Sequence, residues 1–377
     1  MVTVQEMVQK AGDIANYYTD LQQKIFYLLI DIMNHTRNGL TNSSAILEWR
    51  LECLSKMGGL TKETIKLISK TSGKSESAIN SLIKRDGLRV ASDINGQLSE
   101  MLGQNKPISS EVNAIIDSYA HQTFLSIDNN VNQTLLSTNY QQNGADRAFQ
   151  DILNQTVLEV QTGLKTPQRA LADNIYKWRN KGIETNLIDK GGHRWSLEGY
   201  TRTVLTSTAH RTFNDVRLQS MKDFNSPLAV MSSHPAAREA CAYIQGDVVN
   251  VVSPIDERFN PKYDSIYNHG YGTPGGTQGV NCSHMLYPYI EGVSHNYQKK
   301  YDPEKVQKNA KKQAQQRYHE RIIRALKYDL DLASKLNDES GANLIKKRIR
   351  NHQASLRDIV KDNDFLSRQY DREKIYK

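Results

Sequence analysis

Ser232–Gly246 reads SSHPAAREACAYIQG, and Gly270–Gly292 reads GYGTPGGTQGVNCSHMLYPYIEG. Together they hold two of the three cysteines, two of the ten histidines and the densest glycine run of the chain. Polar side chains need partners when buried, so Cys, His, Arg, Gln and Asn gathered around a glycine-rich loop predict a built centre rather than a bland core. Leu228–Ser233 and Val248–Val252 are apolar or β-branched runs bounded by turn formers, and are predicted strands. Between Asn260 and Val280 lies a loop loaded with Gly, Pro, Tyr and Asn.

Upstream, ETNLIDKGGHRWSLEGY places β-favouring residues on both sides of Gly191-Gly192, the pattern of a short hairpin. A helix rich in Thr and Arg is predicted from about Leu197 to Phe224. Before residue 182 the patterning is helical. Val4, Met7, Ala11, Ile14, Tyr18, Leu21, Ile25, Leu28 and Ile32 alternate three and four apart, a heptad seam that predicts a long helix lying along a partner helix. Asn42–Met57 reads as a second helix capped by Ser43 or Ser44, with Trp49 and Cys53 in its core. LTKETIKLISKTSGKSESAINSLIKRDG, Leu60–Gly87, has helix-turn-helix spacing, with Thr61 as cap, Gly73 as break and a second start at Ser75 or Ser77. Lys84 and Arg85 alone charge the end of that would-be reading helix.

Downstream of Pro303 the pattern is helical again. Ile322, Leu326, Leu330 and Ala333 form one stripe, Ile345, Ile349, Leu356 and Ile359 another, and Asp338–Gly341 supplies the break of a helical hairpin. The fold class expected is therefore α+β: a long helical N-terminal region (1–182), a small mixed module (183–295) and a basic C-terminal helical hairpin (296–377).

Charge sharpens this division. Residues 296–377 hold 21 Lys+Arg against 12 Asp+Glu, while the preceding 295 hold 28 against 29, so the formal excess of +8 lies in the last fifth of the chain. A cationic segment on a neutral body suits contact with a polyanion, the plainer alternative being a solvated helical tail. Lys311, Lys312, Arg317, Arg321, Arg324, Lys346, Lys347, Arg348 and Arg350 are the candidate phosphate contacts. The longest apolar run, Ile25–Ile30, falls well below the ~20 residues of a membrane span, and no signal-like start opens the chain, so neither a secreted nor a membrane-embedded protein is expected. Three widely spaced cysteines, Cys53, Cys241 and Cys282, argue against a disulfide framework and for synthesis in a reducing compartment.

Three chemistries are open to the central segments. His234, Cys241, Cys282 and His284 form a Cys2His2 inventory of the kind that holds structural zinc, although H-x6-C and C-x-H are not zinc-finger spacings. A C-x-H pair on a strand would present both side chains on one face. Nucleophilic catalysis would pair Cys241 or Cys282 with His234 or His284, and needs an orienting third group. The leading reading is a satisfied hydrogen-bond network in which His234, Arg238, Gln245 and Asn281 pin the glycine loop to the strands, with no catalytic residue.

These two segments, with their SSH-x-x-A-R stretch, Gln-Gly pair and G-x-N-C-x-H motif, resemble the signature of the tailed-phage minor capsid protein 2 family, a relative of the MuF-type head morphogenesis proteins. GGHRWSLEGYTRTVLTSTAHRTFNDVR looks like the G-R-x-W, Tyr and Arg-Thr helix of that family. The resemblance covers Tyr176–Gly292, with the N-terminal half similar only in style. Two departures stand out: Cys241 where many relatives carry His, and Ile244 where Trp commonly precedes Gln-Gly. The first keeps a metal ligand; the second removes a packing anchor that Tyr243 could replace.

The resemblance implies a structural, non-enzymatic virion protein, made in the host cytoplasm and lying inside the capsid near the portal vertex. Portal protein, major capsid protein and double-stranded DNA bound without sequence preference are the partners it implies. Two other functions compete: a nucleic-acid- or protein-modifying enzyme built on His234, Arg238, Cys282 and His284, because MuF-type modules often travel with such domains, and a helix-turn-helix regulator using Leu60–Gly87.

Overall fold

The computed structural model describes residues 3–35, 43–136, 143–192 and 194–375. Helices α1 (Val4–His35), α2 (Ser43–Ser55) and α3 (Met57–Asn80) lead, through the π-turn Ser81–Arg85, into α4 (Asp86–Leu102). Next come α5 (Ser110–Leu135), α6 (Gly144–Gln161) and α7 (Pro167–Lys181), then strands β1 (Glu184–Ile188) and β2 (Arg194–Ser196). Helix α8 (Leu197–Asp223) precedes β3 (Leu228–Met231), the short α9 (Glu239–Ala242), β4 (Val248–Asn250), β5 (Asp264–Ser265) and β6 (Leu286–Pro288). Helices α10 (Pro303–Leu336) and α11 (Glu339–Lys361) follow, and a 3-10 turn at Tyr370–Glu373 comes after them. The protein is mostly helical with small sheets, as an α+β class requires.

The compact units are not sequential. One gathers Met1–Ile14, Glu76–Leu125 and Arg202–Gln315; the other gathers Ala15–Ser75, Ser126–Thr201 and Gln316–Lys377. This partition cuts across the three-part division at 182 and 295, because α1, α3, α5, α8 and α10 each begin in one unit and end in the other.

In the first unit the sheet runs β5-β4-β3-β6, with β3 antiparallel to β4 and β6, and β5 parallel to β4. All four residues of β3 are buried, as expected of a central strand. Thr3 and Glu6 form a reciprocal capping box at the start of α1, Thr3 N–H donating to Glu6 Oε2 at 2.9 Å and Glu6 N–H to Thr3 Oγ1 at 3.1 Å. Lys10 then pairs at 2.5 Å with Asp86, whose carboxylate is fully buried at the head of α4. The chain from β6 into the first turns of α10 is laced to the central segments. Asn296 donates to the Gly246 carbonyl at 2.8 Å, and Asn309 donates to the Pro235 carbonyl at 2.7 Å. The start of the basic segment is thus part of the module rather than an appendage to it.

In the second unit β1 and β2 form the antiparallel hairpin expected around Gly191-Gly192. Helices α10 and α11 form a hairpin whose core is Ile323, Leu326, Ala333, Ile345, Ile349 and Leu356, with Tyr176 of α7 packed against it. Asp338 caps α11 by accepting Gly341 N–H at 2.9 Å, and also accepts Tyr176 Oη at 2.9 Å and pairs with Arg169 at 3.1 Å. Lys335 reaches Asp31 of α1 at 2.7 Å, and Arg179 of α7 lies over the Tyr328 ring at 4.5 Å. The hairpin is a structural member of its unit, not a free limb.

Two expectations for the N-terminal region change. The α1 seam is buried from Met7 through Ile25, and burial then passes to Phe26, Leu29, Ile30 and Met33 while Leu28 and Ile32 become half-exposed. A straight helix of 3.6 residues per turn drifts off a 3.5-residue seam, so this seam serves the chain's own core and not a coiled coil. Leu60–Gly87 is not a helix-turn-helix: α3 runs unbroken through Gly73 and continues through Ser81–Arg85 into α4. A lone glycine costs a helix only about 1 kcal/mol, which the buried Ile68, Ile79, Leu82 and Ile83 offset. Trp49 and Cys53 are core residues, as expected; the side chains of Ser43 and Ser44, the proposed caps, lie outside those described.

Two predictions follow from the second unit. Asp338→Ala removes a helix cap, a tyrosine acceptor and an arginine partner, and is expected to cost about 2 kcal/mol in urea unfolding, with Asp338→Asn costing less. His319 of α10 and His352 of α11 meet Nδ1 to Nδ1 at 3.0 Å. Burial lowers the pKa of both, reinforced at His319 by His352 and at His352 by Arg348. The unfolded chain therefore binds protons first: stability is full above about pH 6.5 and falls on acidification below it. A melting temperature that drops between pH 7.5 and 5.5, and drops less in His319→Leu/His352→Leu, is the expected result.

Candidate functional site

The central segments converge where β3 ends. Met231 pairs with Leu286 in the sheet, and Ser232 extends the pairing beyond it: Ser232 N–H donates to the Met285 carbonyl at 2.8 Å while its Oγ accepts Met285 N–H at 2.9 Å. Helix α8 supplies the other hand. Asn214 Nδ2 donates to the His284 carbonyl at 3.1 Å and its Oδ1 accepts Leu286 N–H at 3.3 Å. Asn214 Nδ2 also meets Gln278 Oε1, and Gln278 Nε2 donates to the same His284 carbonyl at 3.1 Å.

Around this backbone lie the sulfur and imidazole groups. Cys241 Sγ is 3.9 Å from Cys282 Sγ, and Cys282 Sγ is 3.5 Å from His284 Nδ1. His284 Nε2 contacts Gln245 Oε1 at 2.9 Å, and the same oxygen accepts His234 N–H at 2.9 Å. The C-x-H pair sits in the segment before β6 rather than in a strand, directly after Asn281, whose φ is 57°. Cys241, Cys282 and His284 are all buried.

The fourth member of the Cys2His2 inventory stands apart. His234 Nε2 faces the Ser283 carbonyl at 3.2 Å and Ser232 Oγ at 3.4 Å, and its ring meets that of His284 edge-on at 4.6 Å between centroids. Burial, followed by the neighbouring His284, lowers its pKa to about 4, so it is neutral near pH 7. Cys241 and Cys282 share a proton across their 3.9 Å contact, which lowers the pKa of Cys282 and, together with burial, raises that of Cys241.

Arg238 clamps the glycine-rich loop from outside, its guanidinium donating to the Pro274 carbonyl at 3.2 Å and the Val280 carbonyl at 2.5 Å. A side chain at Gly276 or Gly279 would collide with the carbonyls of Gly270 and Thr273, so the tight fold of this loop demands glycine at both. Asn281 does not join the buried network expected of it. Its side chain is exposed, and its backbone N–H donates to Ser207 Oγ at 3.3 Å. Asn214 and Gln278 hold the place assigned to it. The signal for Asn214 was the polar face of α8, where His210, Asn214 and Arg217 recur at helical spacing and are all buried.

Of the candidate phosphate contacts, Lys311, Lys312, Arg317, Arg321, Lys346, Lys347, Arg348 and Arg350 are exposed. Arg324 is not available: its side chain is 14% exposed, pairs with Glu198 at 3.3 Å and donates to the Arg372 carbonyl at 3.1 Å. Its place on the inner side of α10 makes it a packing residue. Among the described residues no helix is long and apolar enough to cross a membrane.

A family model described as phage minor capsid protein 2 matches residues 3–361, so the similarity reaches far beyond the central segments and includes the N-terminal helices. A protein named "Structural protein" from Lactococcus phage LL-H is 52% identical over 365 residues, which are 96% of this chain and 98% of that one. A second "Structural protein", from Lactococcus phage mv4, is 50% identical over 120 residues, 32% of this chain and 98% of that relative. No solved structure matches the chain.

Asn214→Leu leaves the His284 carbonyl and the Leu286 N–H without their α8 partner. It is expected to destabilise the protein by about 1–3 kcal/mol and to speed amide exchange at Leu286 well before global unfolding.

Proposed function

The chain belongs to the phage minor capsid protein 2 family, and from that membership we propose that it is carried inside the phage head at the portal vertex, docked on the portal and adjoining major capsid protein, with its cationic helices against packaged DNA. As a structural phage protein its place is the virion. The exposed cations support the DNA half of this reading. Lys346, Lys347 and Arg350 turn away from the buried Ile345, Ile349 and Leu356, so α11 presents charge outward while its apolar stripe holds the hairpin together. Phosphate contact of this kind requires only cations on a firm support and reads no base sequence.

For docking, α1 offers no spare seam, and α2 is the better element. Leu47 and Leu51, one helical turn apart, are 44% and 65% exposed on a short helix whose inner face carries the buried Ile46, Trp49 and Cys53. Adjacent exposed leucines suit the apolar centre of a protein interface. Neither competing function gains support: the thiols and His284 are buried away from macromolecular substrates, and the supposed reading helix is continuous with its neighbours.

Two measurements test this. Lys346→Glu/Lys347→Glu/Arg348→Glu/Arg350→Glu is expected to lose retention on DNA and to flatten the salt dependence by about 0.9 in log–log slope for each phosphate contact removed; an unchanged slope removes DNA contact by α11. Leu47→Ser/Leu51→Ser is expected to leave folding intact and lower the amount of protein in purified heads. Undiminished incorporation would exclude α2 as the docking element.

A further inference from the structure

We propose that Cys241, Cys282 and His284 bind one zinc ion, which ties α9 to the segment entering β6 across the glycine-rich loop. Their ligand atoms all lie within 4.8 Å of one another and all three residues are buried. Tetrahedral zinc with Zn–S bonds of ~2.3 Å and Zn–N of ~2.0–2.1 Å sets S···S edges near ~3.8 Å and S···N edges near ~3.6 Å. The observed edges are 3.9 Å between the sulfurs and 3.5 Å between Cys282 Sγ and His284 Nδ1. The side chains already stand on two edges of such a tetrahedron.

The tautomer of His284 is fixed by its neighbours. An amide N–H can only donate, so the Gln245 atom that meets His234 N–H at 2.9 Å is the oxygen. The same oxygen lies 2.9 Å from His284 Nε2, which must therefore be the protonated nitrogen. In the neutral imidazole, the form that binds a metal, Nδ1 then carries the lone pair, 3.5 Å from Cys282 Sγ. A metal-binding imidazole whose second nitrogen donates to a protein oxygen is the usual supporting arrangement, and it makes Gln245 the positioning residue. The Thr277 hydroxyl, 3.8 Å from Cys241 Sγ, gives its proton to the Ala240 carbonyl at 2.9 Å. His234 stays outside the ligand set because its Nε2 is engaged by Ser283 and Ser232.

This centre is independent of head docking and DNA contact. Zinc needs deprotonated thiols, so binding two cysteines releases protons to solvent, and because the site exists only in the folded chain its binding energy adds to folding stability. The gain falls on Gly270–Gly279, where the sequence spends most conformational freedom.

The test uses the full-length chain produced with zinc in the medium. Elemental analysis is expected to find one zinc per chain. The Co2+-loaded protein is expected to show thiolate-to-cobalt charge transfer and the intense visible bands of a tetrahedral site. Cys282→Ser and His284→Gln should lose the cobalt spectrum, Cys53→Ser and His234→Gln should keep it, and His284→Cys should retain metal. Gln245→Leu should weaken zinc about 10–100-fold in chelator competition with stoichiometry unchanged. Wild-type protein that contains little zinc, or binds cobalt without charge transfer, or carries a Cys241–Cys282 disulfide in its intact mass, overturns the proposal irrespective of how the variants fold. Loss of the cobalt spectrum in folded His234→Gln would overturn the ligand set.

Discussion

The backbone of residues 282–286 must be satisfied from several sides at once, and the central module is organised by that need. Buried amide groups away from a regular ladder are costly unless each finds a partner. Ser232 takes both groups of Met285, Asn214 takes the His284 carbonyl and the Leu286 N–H, and Gln278 shares the same carbonyl. Those side chains come from the end of β3, from α8 and from the glycine-rich loop, so one short segment locks three elements together. Cys282 and His284 ride on it, and their approach to Cys241 is a consequence of this locking.

A second consequence concerns the glycine-rich loop. Held by Arg238 on its outer side and by Thr277 and Gln278 on its inner side, it is folded too tightly to admit a side chain at Gly276 or Gly279. Sequence that looks flexible is held here because the carbonyls of Gly270, Thr273, Pro274, Gly276, Gly279 and Val280 all accept hydrogen bonds. A module of this kind suits a structural protein, which transmits load through fixed contacts and needs no moving lid.

The basic helices show how charge and packing divide a surface. On α11 the apolar stripe faces α10 and α7 while the lysines and arginines face solvent, so a net cationic segment is also an integral part of its unit. Arg324 marks the inner limit of that surface: within the same helix, a cation turned inward is spent on Glu198 and a carbonyl.

Much of the local structure was legible in the chain. The hairpin at Gly191-Gly192, the strands beginning at Leu228 and Val248, the helix from Leu197, and the hairpin turn at Asp338 follow from period, capping and turn chemistry, which act within a few residues. Sequence alone also determined the charge asymmetry and the cysteine and histidine inventory. Only the tertiary structure decided that Gly73 interrupts nothing, that the α1 seam faces its own core, that Asn214 and Gln278 replace Asn281, and that His234 stands outside the sulfur cluster. Each of these depends on which distant surface a residue meets, and burial against such a surface outweighs the local preference of about 1 kcal/mol that a single residue expresses.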